Sequence, residues 1–89
     1  MAGGARLEYK ASVEADLRRL DPSAAQRVLR KIGKALSSEG RAGAALKGEF
    51  AGLCRLRVGD YRVIYSRTAV GYLVLRVAHR GEVYRKELP

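Results

Sequence analysis

Thirteen of the eighteen basic residues are arginine, and the most telling of them crowd the second half of the chain. Arg55, Arg57 and Arg62 bracket a Gly59-Asp60 pair, and Arg76 and Arg80 follow. A guanidinium stays charged at any physiological pH and presents a planar fork that grips phosphate through two parallel hydrogen bonds. These residues therefore point to anion binding rather than to proton transfer. Other chemistries have little to work with. Cys54 is the single cysteine and His79 the single histidine, which leaves no intrachain disulfide and no Cys/His zinc site. The nine acidic residues are scattered, with no close Asp-x-Asp pair, so neither a carboxylate metal site nor a cofactor is expected.

Charge says which anion to look for. A net charge of +9 and a pI near 10.3 favour a polyanionic partner such as nucleic acid or an acidic protein. At 89 residues, 47% hydrophobic and 30% charged, the chain has the makings of one globular domain spanning 1–89. No apolar run approaches the roughly 18 residues that cross a bilayer, and Met1 to Arg6 lack the apolar core of a signal peptide. A cytoplasmic protein with no membrane association is expected.

The elements that must position the arginines read as a helical first half and a strand-rich second half. A short strand over Ala5 to Lys10 precedes a helix capped by Ser12, with Val13, Leu17 and Leu20 at helical spacing. Asp21-Pro22 then restarts the chain as cap and first helical residue. Ala25, Val28, Leu29, Ile32, Ala35 and Leu36 mark the apolar stripe of a longer helix ending before Gly40. The span from Gly40 to Gly52 reads as connection, with Lys47 available as a phosphate contact at the sheet edge.

From Leu53 the period becomes two. Leu53 to Val58, Tyr61 to Arg67 and Tyr72 to His79 predict an antiparallel meander, whose first turn is a two-residue Gly59-Asp60 bend. That bend sets Val58 opposite Tyr61, Arg57 opposite Arg62, Leu56 opposite Val63, Arg55 opposite Ile64 and Cys54 opposite Tyr65. Cys54, Leu56, Val58, Tyr61, Val63 and Tyr65 then share an apolar face under the helices, and Arg55, Arg57 and Arg62 share the other. Like charges facing across a hairpin cost stability, and a bound anion is the simplest relief. Continued alternation assigns Leu73, Leu75 and Val77 to the core. It puts Tyr72, Val74, Arg76, Ala78 and Arg80 on the basic face, and His79 on the core side as a packed residue. The fold class is α+β: an N-terminal strand and a two-helix hairpin packed on one face of an antiparallel β-meander.

The run Leu53-Cys54-Arg55-Leu56-Arg57-Val58-Gly59-Asp60-Tyr61-Arg62-Val63-Ile64-Tyr65, with Leu73-Val74-Leu75-Arg76-Val77-Ala78-His79-Arg80 and Glu82-Val83-Tyr84-Arg85, resembles the RelE/ParE superfamily of toxins, and its RelE branch in particular. The resemblance covers nearly the whole chain and implies the RelE-like fold. It also implies a metal-independent, ribosome-dependent endoribonuclease that cuts mRNA in the A site, the messenger's own 2′-hydroxyl attacking the adjacent phosphate. By motif position, Arg55 and Arg57 match the two basic sites of the first meander strand. Arg62 matches the arginine after the hairpin, Arg80 the basic residue after the last strand, and Tyr84 the C-terminal tyrosine. The implied partners are a cognate antitoxin, the ribosome with its mRNA, and operator DNA only indirectly through the antitoxin complex.

In-line attack by a 2′-hydroxyl needs a base, positive charge for the phosphorane and an acid for the leaving 5′-oxygen. Arg57, Arg62 and Arg80 suit the charge, Arg55, Arg57, Lys47 and Arg76 suit RNA binding, and Tyr84 is the first choice for base or base-stacking platform. Two other functions fit the same fold: a ParE-like gyrase inhibitor that cuts nothing, and a catalytically idle RNA-binding module.

Overall fold

The computed structural model of the chain describes residues 6–36, 44–45 and 51–81. Its elements run β1 (Arg6–Tyr9), α1 (Ala11–Arg18), α2 (Pro22–Leu36), β2 (Ala44–Ala45), β3 (Cys54–Val58), β4 (Tyr61–Arg67) and β5 (Gly71–His79). The strands form one sheet in the order β1-β5-β4-β3-β2. All pairs are antiparallel except β1 with β5, because the chain must cross both helices before it returns alongside its own first strand. The α+β expectation holds, with two additions. The sheet is mixed, and part of the expected connection, Ala44–Ala45, pairs with Arg55 and Cys54 as a fifth short strand. Among the described residues no helix is long and apolar enough to cross a membrane.

Helix α2 begins where Asp21 caps it. The Asp21 carboxylate accepts from the Ser23 amide and hydroxyl, the Asp21 carbonyl accepts the Ala25 amide, and Pro22 fits the first helical position. Ala24, Val28, Ile32 and Leu36 recur every four residues and are buried. The stripe is narrower than the sequence suggests, since Leu29 is 38% exposed. From α1, Val13 is buried, and Leu17 and, just past the helix, Leu20 pack beside it, against Leu56, Val58, Val63, Tyr65, Val74 and Val77 of the sheet. Losing a side chain such as Ile32 from this core costs about 2–5 kcal/mol.

Ser12 does not cap α1. Lys10 holds the cap position without a side-chain bond, and the Ser12 hydroxyl donates to the Leu75 carbonyl of β5. Strand β1 pairs with β5 only from Gly71 to Val74, so among the described residues the rest of that β5 edge has no neighbouring strand. Helix α1 fills the gap with side chains. The Val77 amide donates to Asp16 Oδ2 at 2.9 Å, and Ser12 satisfies Leu75 two residues earlier.

The β3–β4 register is the expected one at all five pairs, and Gly59 takes φ +59° in the turn. In β5 the expected phase fails. Ile64 pairs with Arg76 while Tyr65 pairs with Val74, so Leu75 is an extra residue at a bulge. Tyr72 and Val74 therefore pack with Tyr65 on the helix face. Leu73 and Leu75 join Ile64, with Leu53 and Ala78, in a second apolar cluster on the opposite face. Only the stretch after the bulge keeps the expected sides, with Val77 under the helices and Ala78 opposite Arg62. The consecutive apolar residues Leu73, Val74 and Leu75 suit either face, so alternation carries no mark of the slip.

Candidate functional site

Tight turning at Gly59 brings Arg57 of β3 directly opposite Arg62 of β4. Their neighbours Leu56, Val58 and Val63 are buried under the helices, so strand alternation turns both arginines to the other face. The two differ in freedom. Arg57 is exposed, whereas Arg62 is only 9% exposed and is anchored to the hairpin. Its Nη1 donates to the Gly59 and Tyr61 carbonyls, each at 3.0 Å. Both Nη1 hydrogens are directed to carbonyls, and the Nη2 and Nε donors of the guanidinium fork have no hydrogen-bond partner among the described residues.

Arg80 is tied to the same bend through its backbone, its amide donating to the Asp60 carbonyl at 2.8 Å. Arg55 lies two residues from Arg57 on the same strand, half-buried. Its Nε is shielded from solvent with no hydrogen-bond partner among the described residues. A shielded guanidinium donor without an acceptor is costly to the fold. The structure thus places Arg55, Arg57, Arg62 and Arg80 on or beside one hairpin. Tyr84 and Lys47 lie outside the described residues.

Arg76 departs from its expected place on the basic face. It is drawn to the β5 edge, where Nη2 donates to Asp16 Oδ1 and Nε lies 3.3 Å from Oδ2 without a well-aligned hydrogen bond. The side chains are 11% and 7% exposed, so the pair is buried and committed to holding α1 on the sheet. Asp16 went unnoticed in the sequence. The available signal was an acid sharing the buried helical face of Val13, Leu17 and Leu20.

The aromatic residues also sort differently. Tyr72 is half-buried on the helix face, edge-on to Tyr65 at 5.6 Å, rather than on the basic face. Burial, and next the neighbouring Cys54, push the Tyr65 hydroxyl up to about 12, which keeps it neutral. His79 is exposed rather than packed. It meets the Tyr61 ring edge-on at 5.9 Å, and its Nδ1 accepts the Gly81 amide. No group of three or more His, Cys, Asp or Glu able to hold a metal occurs among the described residues.

Comparison with known proteins gives this geometry a lineage. Residues 7–84 match the family model described as the ParE toxin of type II toxin-antitoxin system, parDE. Among solved structures, the chain is similar to one in the toxin-antitoxin complex RelBE2 of Mycobacterium tuberculosis. The identity is 30%, the TM-score 0.80, and the alignment covers 86% of this chain and 99% of that one. The RelB-RelE antitoxin-toxin complex of Methanococcus jannaschii matches at 20% identity and TM-score 0.67, over 88% and 95% of the two chains. A mutant toxin from Helicobacter pylori matches at 21% and 0.62, over 90% and 99%. These last two show the shared fold alone. No curated protein matches. With most of its length matched by the family model and a relative aligned almost end to end, the chain belongs to the RelE/ParE superfamily of type II toxin-antitoxin toxins.

Proposed function

We propose that this toxin is a metal-independent endoribonuclease that cleaves mRNA in the ribosomal A site, and that a cognate antitoxin neutralises it in the cytoplasm. The observation that carries the reading is the pairing of Arg57 with Arg62 across a bend that also holds the Arg80 backbone. Facing guanidinium groups destabilise a bare hairpin, and they become favourable when a phosphate lies between them.

Catalysis follows from which donors are already fixed. Arg62, held by two turn carbonyls, meets the phosphate in a set orientation, so little reorganisation accompanies the growth of charge on the phosphorane. Arg57 and Arg80 complete the charge, and Arg55 adds positive charge beside the neighbouring backbone. Tyr84 takes the proton of the attacking 2′-hydroxyl, the 2′-oxygen bonds to phosphorus as the bond to the 5′-oxygen breaks, the departing 5′-oxygen takes a proton from solvent water, and Lys47 contacts a flanking phosphate. Arg76 is assigned to the fold instead of to RNA, because Asp16 already occupies its fork.

Binding of gyrase without catalysis is the second reading, and the match to the ParE model favours it. Primer extension on transcripts after induction separates the two. Breaks inside ribosome-bound codons support the nuclease. Intact transcripts with altered plasmid supercoiling support the gyrase inhibitor.

A further inference from the structure

Strand β1 is the outermost of the sheet, and only its inner side is paired. The Arg6 amide donates to the Val70 carbonyl at 2.8 Å and the Lys10 amide to the Val74 carbonyl at 2.9 Å. Main-chain groups alternate along a strand, so those of Leu7 and Tyr9 point outward, where no strand lies among the described residues. The side chains sort by face with the same period. Leu7 packs on the helix-side core, and Tyr9 shares that side, lining an apolar groove of about 320 Å³ with Val13, Leu17 and Leu29. Tyr9 itself is 40% exposed. Alternation turns Arg6 and Glu8 to the other face. Both are exposed there, and neither has an ion-pair partner among the described residues.

An outer strand ordinarily repels a second edge with charges of one sign or with proline. The run Arg6-Leu7-Glu8-Tyr9-Lys10 does neither, since its charges alternate in sign. That alternation is complementary to itself in one register. Antiparallel pairing of two copies about a two-fold axis at Leu7 sets Leu7 opposite the partner's Leu7, and their outward N–H and C=O groups exchange hydrogen bonds. Arg6 then faces the partner's Glu8, twice by symmetry. An axis at Glu8 instead opposes Glu8 to the partner's Glu8 and Arg6 to the partner's Lys10, like charges throughout. An axis at Tyr9 drives the start of α1 at Ala11 against the partner's Leu7.

We propose that β1 is a homodimerisation edge, at which two copies of this chain join their five-stranded sheets antiparallel about Leu7 and exchange Arg6–Glu8 ion pairs across the axis. Leu7 meets Leu7 on the helix side and the ion pairs form on the other, so both faces of the joint are matched. Two chains of net charge +9 repel, but at physiological salt the Debye length of about 8 Å screens that repulsion more than contacts at the joint itself. Strand β5 separates this edge from the Arg57 and Arg62 hairpin, and the inference is independent of whether RNA or gyrase is the target.

The test is sedimentation of the full chain at loading concentrations from about 10 μM to 1 mM, a range suited to a small interface, with amide exchange measured at both limits. A monomer–dimer equilibrium is expected, with the Leu7 amide gaining protection as concentration rises. Arg6→Glu should weaken dimerisation at least tenfold, although it lowers each chain's net charge by two and so eases the long-range repulsion. Adding Glu8→Arg to that variant restores opposite charges across the axis and should return the affinity to within about threefold of wild type. Lys10→Glu makes the same change in net charge outside the ion pairs and should stay within about threefold as well. All three positions are exposed, and circular dichroism checks that each variant is folded. A chain still monomeric at about 1 mM, which would leave this edge to a different strand, would overturn the proposal. So would a dimer whose Leu7 amide stays open, a double variant that does not recover, or a greater loss with Lys10→Glu than with Arg6→Glu.

Discussion

Arg57 and Arg62 face each other with opposite consequences for the protein. Arg62 is built into the hairpin, and Arg62→Ala removes two hydrogen bonds to the turn, a loss of about 1–3 kcal/mol. Arg62→Lys keeps the charge but not the fork. We expect it to cut mRNA cleavage on purified ribosomes by about 10²-fold, the scale of losing one oriented donor to the transition state, with circular dichroism reporting a retained fold. Arg57 makes no described bond that stabilises the domain, so Arg57→Thr should raise thermal stability by about 0.2–1 kcal/mol through relief of the like-charge pair. Asp16 is the reverse case, important to the fold and remote from the chemistry. Asp16→Ala leaves the Val77 amide and the Arg76 guanidinium buried without their partner, and should cost about 3–5 kcal/mol in urea denaturation. Arg76→Met in the same chain should recover part of that loss, which a double-mutant cycle would measure.

At the scale of elements, the sheet depends on how closely β1 approaches β5. A Cβ at Gly71 would collide with the Arg6 backbone, so Gly71→Ala should break the parallel pairing and release β1, seen as lost amide protection from Arg6 to Tyr9. The start of α2 responds to pH. Hydrogen bonds from the Ser23 side chain and backbone hold the Asp21 carboxyl below its ordinary value of 3.8. A depressed folded-state pKa means that the cap contributes above pH 4 or so and is lost as pH falls through the lower folded value. Asp21→Ala should therefore lower Tm at neutral pH, with the gap to wild type closing as both are acidified.

The hairpin register, the α2 cap and the facing of Arg57 and Arg62 were legible, because Gly59-Asp60 and Asp21-Pro22 each admit few local conformations. The bulge at Leu75 was not. Apolar residues occupy both sides of β5, since the second cluster around Ile64 makes the sheet two-faced. The edge role of Ser12 and Asp16 was hidden for another reason: β1 stops at Tyr9, and only the tertiary arrangement shows which β5 groups then need partners.

For the whole molecule, the charges divide the work. In the proposed reading, the hairpin face with Arg55, Arg57 and Arg62 meets nucleic acid, while Asp16 and Arg76 hold α1 on the edge of β5. RNA affinity should fall steeply with salt, and each hairpin arginine removed should flatten the log-log slope by about 0.7 for single strands. The central claim is that the arginine pair is kept for a phosphate despite its cost to folding. Single-turnover cleavage of A-site mRNA on purified ribosomes, comparing Arg57→Thr with wild type, tests it most directly. The account predicts cleavage by wild type and at least tenfold slower cleavage by the more stable variant. Equal rates, or no cleavage by wild type, would contradict it.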